Sequence, residues 1–555
     1  MHKLSLFIIT FLFLGNTIYS QCNSSVTLNQ NNVTANIPNT GGLFSNFQND
    51  EISTMFASGL WFGGIKPSGE LGIKAPYYGQ ASVQPNVGPL DENSGILLDP
   101  NCENYNQFWQ VFADDTEQHL LDFNDNGIID NPNQNIFGYP AHGNSFFESI
   151  HGFILPDTPQ KLAPFFDKNN DGIYSPDLGE YPLPSSVSEG IIPSQIIFAI
   201  YNSASDPNFP ADPFSLNFEI QYTAWTFSCS EYDLVDNTVF TNHKIINRSG
   251  EQINSMHIAY WLDMDIDCAT DDLLGCSPEN NAFYGYNRYG IDNNCSNTPS
   301  ESSPTQSVVF LNKEMSNFIF SNNAGIGEPP NGTTDPTDPT QFHNYLTGSF
   351  RFGTPLTYGG TGHDPSGSSD PTNFAFPSNP LDSLTEWTMH DFVNDPDIAT
   401  TVLDPRAFGI LNHGILNHGE MIEIDMAYSI HSGDGFDNAE NINLMYDNFP
   451  ILQTLYNNNF ENYCSPDLVL NTKSPEPIVF EFSPNPTSDV LNIKFENQAI
   501  NQLSIFDTFG NVLFEKNSFI ENDLSISTTN FPSGVYFIFV KKDNATKVEK
   551  FIVSH

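Results

Sequence analysis

Two oxygen-rich segments have the residue types and spacing of a hard-cation site. In Asp167-Lys168-Asn169-Asn170-Asp171-Gly172-Ile173 the side-chain oxygens stand at loop positions 1, 3 and 5. Glycine follows at position 6, where a calcium loop turns sharply, and Ile173 offers a carbonyl at position 7. Position 12 is Leu178, so the closing acid must come from Asp177 or Glu180. A weaker copy, Asp122 to Asp130, repeats the pattern with Asn124 and Asn126 as partners and fewer converging charges. The second segment is Trp261-Leu262-Asp263-Met264-Asp265-Ile266-Asp267, followed by Asp271-Asp272. If it is extended, Asp263, Asp265 and Asp267 share one face at about 7 Å spacing. Such a row of ionised carboxylates needs a cation to relieve it, and Asp271 and Asp272 could complete an oxygen cage. The expected cofactor is therefore structural Ca2+. Paired carboxylates also serve glycosidases, so a hydrolytic reading of the same acids stays open.

These ligands need rigid elements to hold them. Aromatic residues make up 13% of the chain, with 47 Phe, and the 38 Gly and 39 Pro supply frequent turns. That composition predicts a mainly β chain: a multi-domain, β-sandwich-like cargo with long loops, then a small antiparallel β-sandwich at the C-terminus. Strands are expected at Gly59–Phe62, Asn217–Phe227, Thr238–Ile246, Met256–Leu262, Ser307–Leu311 and Met421–Ile430. One helical stretch is expected from Asp437 to Asn448, with Pro450 opening a second short helix. His413 and His418 are five residues apart, which suits a hairpin turn better than a metal site.

The ends of the chain carry address information. His2-Lys3, the apolar run Leu4–Leu14 and Ile18-Tyr19-Ser20 read as a signal peptide over residues 1–20. The expected division is then 21–185, a β-rich region with the calcium-type loops; 186–465, a sandwich-like domain with a helical end; 466–477, a Pro-rich linker; and 478–555, a tail. In the tail, Ser483-Pro484-Asn485-Pro486-Thr487, the alternating Leu491/Ile493/Phe495 and Val535/Phe537/Phe539, Ser533-Gly534-Val535-Tyr536 and the basic Lys550-Phe551-Ile552-Val553 stand in order. This tail resembles the type A C-terminal sorting domain of the type IX (Por) secretion system. The resemblance implies export across a bacterial outer membrane, with the secretion machinery as a partner and the cargo anchored to surface lipopolysaccharide or released. Gly59-Leu60-Trp61-Phe62-Gly63-Gly64, the 162–182 segment and Gly348-Ser349-Phe350-Arg351-Phe352-Gly353 resemble a broad group of proteins secreted by the same route, which brings no activity with it.

Charge limits the other partners. With 18 Lys+Arg against 66 Asp+Glu the formal net charge is −48, which repels nucleic acid and anionic lipid. No segment has the run of about twenty apolar residues that a membrane-spanning helix needs. Seven cysteines in an exported chain permit disulfides, and the odd number leaves at least one without an intramolecular partner. Cys268, Cys276 and Cys295 are near enough in sequence to staple one loop region. No Gly-x-Ser-x-Gly or His-Glu-x-x-His motif occurs. The reading is an exported, calcium-stabilised structural, adhesive or binding protein, leaning away from an enzyme. A secreted hydrolase acting on polysaccharide and a glycan-binding protein are the alternatives.

Overall fold

A computed structural model describes residues 24–555 except 39–43, 45, 50–51, 79–84, 206–212, 230–231, 267, 289–302, 328, 382–386, 391–403, 434, 465–479, 496–499, 509–510, 520–522 and 543–544. The signal peptide, the linker 466–477 and Asp267 thus lie outside the described residues. Contacts divide the chain into two units, Met1–Ser465 and Pro466–His555.

The larger unit holds a four-stranded sheet of Ser25–Leu28, Val33–Pro38, Asn46–Asn49 and Ile52–Met55, and is built on two large antiparallel ones. One orders its strands Asp272–Ser277, Ala282–Asn287, Thr305–Phe310, Met421–His431, Thr238–Asn247, Phe218–Thr226, Gln195–Asn202 and Asn86–Val87, with Trp109–Phe112 also pairing Gln195–Asn202. The other orders Asn317–Asn322, Pro405–Leu416, Ile253–Asp263, Ala57–Ile65 and Leu71–Lys74. Rings interdigitate between them. Phe62 stacks on Phe218, Tyr260 meets Tyr428, and Phe283 meets Phe318, with centroids 5.7, 5.1 and 5.5 Å apart. The chain is mainly β, as its composition predicts. The expected boundary at residue 185 is not a sheet boundary, because Ala57–Ile65 pairs Ile253–Asp263 and Trp109–Phe112 pairs Gln195–Asn202.

Both faces of the five-stranded sheet are covered, which explains why its strands do not alternate in polarity. On the face opposite Phe62, Trp61 stacks on Trp261 and touches Phe342 and Phe408. Phe342 lies on the helix Pro339–Leu346, which closes that side. Phe198 and Ile200 of the larger sheet join a further core containing Trp109, Ile136, Tyr139, Phe147 and Tyr174.

The helix expected to break at Pro450 is instead one element, Asn438–Asn457. Asp437 caps it reciprocally with Glu440: each carboxylate accepts the other residue's N–H at 2.9 Å. Ile442, Met445, Phe449, Leu452 and Leu455 are buried along one stripe. That burial carries the helix through the missing proline N–H. The helices Ala113–Asn126 and Pro339–Leu346 have no counterpart in the sequence reading. His418 lies in a turn as expected. That turn joins strands of different sheets, however, so it is not a hairpin.

Cys229 and Cys464 form a disulfide across 235 positions, tying the end of the larger unit to its sheet. Cys102 and Cys268 each also take part in a disulfide. Cys276 is free and buried, so it is not part of a staple at 268–295.

Beneath the long helix, the fully buried His431 accepts from the Asn448 amide at 3.1 Å and bonds Ser307 Oγ at 2.8 Å. Burial lowers its pKa from 6.5 to about 3. The folded chain refuses a proton that the unfolded chain takes up below pH 6.5. This contribution to stability is therefore complete above pH 6.5 and is lost as pH falls towards 3. His431→Gln should flatten the acid limb of a stability–pH curve measured by denaturant unfolding. An unchanged slope between pH 6 and 4 would contradict this account.

The smaller unit has two sheets. One orders Phe480–Ser483, Val490–Phe495 and Asp523–Ser527, and the other Val512–Phe519, Ile500–Asp507, Gly534–Lys542 and Ala545–Val553. Leu491, Ile493 and Phe495 face the core as their alternation predicts. On the strand Gly534–Lys542 the core face is Tyr536, Ile538 and Val540, while Val535, Phe537 and Phe539 share the half-buried opposite face.

Candidate metal centre

The second acidic segment becomes a site through three strand ends. Ile253–Asp263 stops at Asp263, whose cross-strand partner is Arg406. Arg406 in turn pairs with Ser321 on the next strand. This register brings Asp404, which precedes its strand, beside Asp263. Asp265 lies just past the end of its own strand. One oxygen each from Asp263, Asp265 and Asp404 lies within 4.8 Å of the others, the only such acidic or His/Cys group among the described residues.

Arg406 is the counter-charge. Its Nη1 lies 2.6 Å from Asp404 Oδ1, and its Nε lies 3.4 Å from Asp263 Oδ1 and 3.9 Å from Asp335 Oδ1. Arg406 Nε donates to Tyr78 Oη at 2.6 Å, and Tyr78 donates on to Asp263 Oδ2 at 2.7 Å. Asn323 donates to Asp404 Oδ2 and Ser321 to Asp335 Oδ1, both at 2.8 Å. Three carboxylates thus face one guanidinium in a mostly buried setting, with Asp265 beside two of them. Burial pushes the Asp263 carboxyl above its usual range, Arg406 pulls it back, and Asp265 raises it again. Burial and then Asp404 push Asp265 the same way. Such carboxylates are short of positive charge, and a divalent cation taking oxygen ligands would supply it. The donor set fits a hard ion: three carboxylates, with Asp265 half-buried on the accessible side.

The expected row is corrected in two respects. The strand does not continue through Asp265, so the acids meet around a strand end and do not line one face. Asp272 does not join them. It is fully buried at the start of its own strand and accepts the Ile266 N–H at 2.9 Å, closing the intervening loop. Asp271 is half-buried in that loop, and its backbone carbonyl accepts from Arg288. Sequence reasoning missed Tyr78, Asp335, Asp404 and Arg406. Asp404 and Arg406 stand about 140 positions from Asp263, with no local motif to mark them.

At the first segment the oxygens turn inward around their own loop. Asp167 accepts from the N–H groups of Asp171 and Gly172, Asn169 from Asp171, and Asp171 from Ile173. Gly172 has φ 75°, the left-handed turn its position requires. Glu180 is fully buried beneath the loop and accepts from Lys168 and Ser175 at 3.1 and 2.8 Å. Burial raises its pKa, with Asp167 and Asp171 adding to the effect. Asp177 and the Leu178 side chain are exposed. Asp167, Asp171 and Glu180 nevertheless do not reach the mutual 4.8 Å of the other cluster. In the weaker copy, Asp122, Asn124 and Asn126 belong to the helix Ala113–Asn126, which ends at Gly127 with φ 81°. Asn126 bonds Asp130, and Asp122 accepts from Asn131, so that segment forms a helix terminus.

Residues 481–554 match the secretion system C-terminal sorting domain. No curated protein matches the chain. Among solved structures, a polysaccharide lyase is 7% identical, with a TM-score of 0.16, over 73% of this chain and 41% of that one. A biofilm-associated protein domain is 9% identical, with a TM-score of 0.14, over 57% and 60%. The CBM51-2 and INT domains of Clostridium perfringens ZmpB are 8% identical, with a TM-score of 0.11, over 60% and 89%. The chain therefore spans less than half of the lyase, and similarity at this level carries no argument. No helix among the described residues is long and apolar enough to cross a membrane. The tail alone identifies the chain: it carries the C-terminal sorting domain of the type IX secretion system and is a cargo of that system, destined for the cell surface or the extracellular space.

Proposed function

We propose that the cargo is a calcium-stabilised structural, adhesive or binding protein of the cell exterior, and that Asp263, Asp265 and Asp404 hold its ion. The observation that carries this reading is three carboxylates within 4.8 Å with a single arginine as counter-charge. Calcium would supply charge neutralisation and cross-link the ends of two strands. The Asp167 loop, closed by Glu180 where Leu178 stands at position 12, is a second position for the same ion. Extracellular sites of this type bind at roughly 10⁻⁴–10⁻³ M. The hydrolase reading is less well supported. Asp263 and Asp404 are already tied to Arg406, whereas a glycosidase pair needs both carboxyl groups available to the sugar.

Titrating calcium into the metal-stripped, full-length chain by calorimetry should give saturable binding, from which Asp265→Asn removes the share of the three-carboxylate centre. Binding that is absent, or unchanged in the variant, would refute the site. Delivery is tested separately. A chain lacking residues 478–555 should remain inside the cell envelope, scored by fractionation, while the full chain reaches the surface or medium.

A further inference from the structure

A second surface feature is independent of the acidic centre. The helix Pro339–Leu346 and the turn at 350–353 border an open depression of about 500 Å³, lined by Phe214, Asp338, Gln341, Asn344, Arg351 and Phe352. The size is that of a small-ligand site. Phe352 is 58% exposed, although neighbouring Phe350 is fully buried.

The turn holding Phe352 is closed by backbone hydrogen bonds. Gly353 has φ 80°, its N–H donates to Phe350 O at 2.8 Å, and the Phe350 N–H donates to Thr354 O at 2.9 Å. Arg351 is fixed from all sides. Nε donates to Gln341 Oε1 at 2.7 Å, Nη1 to Thr334 Oγ1 at 2.6 Å and Nη2 to Thr337 Oγ1 at 3.1 Å. Asn344 donates to the Arg351 carbonyl at 3.0 Å. The guanidinium lies over the Phe352 ring, 5.3 Å from its centroid. One face of the ring is thereby backed by a cation, which leaves the other face and rim to solvent. An aromatic ring braced in this way loses little freedom on binding.

The geometry points to a subsite for a neutral glycan, with a pyranose ring stacked on Phe352 and its hydroxyls bonded to Asp338 and Asn344. The weakly positive C–H groups on one face of a pyranose suit the negative face of an aromatic ring. Asp338 accepts from the N–H and side-chain amide of Gln341 at 3.0 and 2.6 Å, and a carboxylate has lone pairs beyond these two. A net charge of −48 disfavours anionic sugars, and the guanidinium of Arg351 is already committed to neighbouring side chains.

Affinity electrophoresis of the full chain through gels containing laminarin, hydroxyethylcellulose or galactomannan tests this. At least one polysaccharide should retard the wild type. Phe352→Ala should weaken that interaction about tenfold, by loss of the buried ring area, while Phe352→Trp preserves it. Asp265→Ala should bind like the wild type, which separates this site from the proposed ion site. Retardation in none of the gels, equal retardation of Phe352→Ala, or equal loss in Phe352→Ala and Asp265→Ala would each overturn the proposal.

Discussion

Arg248→Met is expected to destabilise the larger unit by about 3–5 kcal/mol, the usual cost of removing one partner from a buried ion pair. Arg248 and Glu219 have fully buried side chains, with Nη2 3.4 Å from Oε1. Glu219 also accepts from the Leu90 N–H and the Gln221 amide, both at 3.0 Å, and Arg248 donates to Gln160 at 2.8 Å. The pair thus pins two connecting segments to the end of an interior strand of the sheet. Methionine keeps most of the volume but leaves an uncompensated carboxylate in the interior. Adding Glu219→Gln should recover part of the loss, because the buried negative charge is gone and an amide oxygen can still accept from Leu90. Urea unfolding followed by tryptophan fluorescence measures both variants. A cost below about 1 kcal/mol for Arg248→Met would show that the pair does not hold these segments.

Calcium should matter nearly as much. At a dissociation constant on the order of 10⁻⁴ M, 10 mM calcium saturates the site about a hundredfold and adds about 2.7 kcal/mol to folding stability. Without the ion, Asp263, Asp265 and Asp404 repel one another across less than 4.8 Å. Asp265→Ala removes the half-buried member of the three, so it should leave the ion-free protein as stable as the wild type or more so. It should also abolish most of the gain from calcium. Asp171→Ala examines the Asp167 loop separately and should remove only that loop's share. Thermal unfolding with calcium and with chelator, for the wild type and both variants, decides between these outcomes. A wild type indifferent to calcium would exclude an ion at either position. A gain retained in Asp265→Ala but lost in Asp171→Ala would move the ion to the loop.

What could be read from the sequence follows the range of the interactions involved. The tail was legible because its alternation is local: Leu491, Ile493 and Phe495 must share a face wherever the strand lies. The Asp437–Glu440 cap was written in adjacent residues, but the continuation through Pro450 depended on burial against the sheet. The helix Ala113–Asn126 was illegible because it buries only Thr116 and His119 and so has no apolar stripe. Its acids looked like a loop because the same residue types serve a helix end and a calcium loop.

The candidate centre divides in the same way. Asp263 and Asp265 could be picked out as crowded acids, since neighbouring residues fix that much of the chemistry. Asp404, Arg406, Asp335 and Tyr78 could not, because only strand pairing brings them there. The sequence by itself determined where the chain is sent, that it is β-built and that it is acidic, all properties of local pattern and composition. The tertiary structure decided which acids meet and which merely cap a loop. Register and burial, acting between residues far apart in the chain, set the distances on which electrostatics depends.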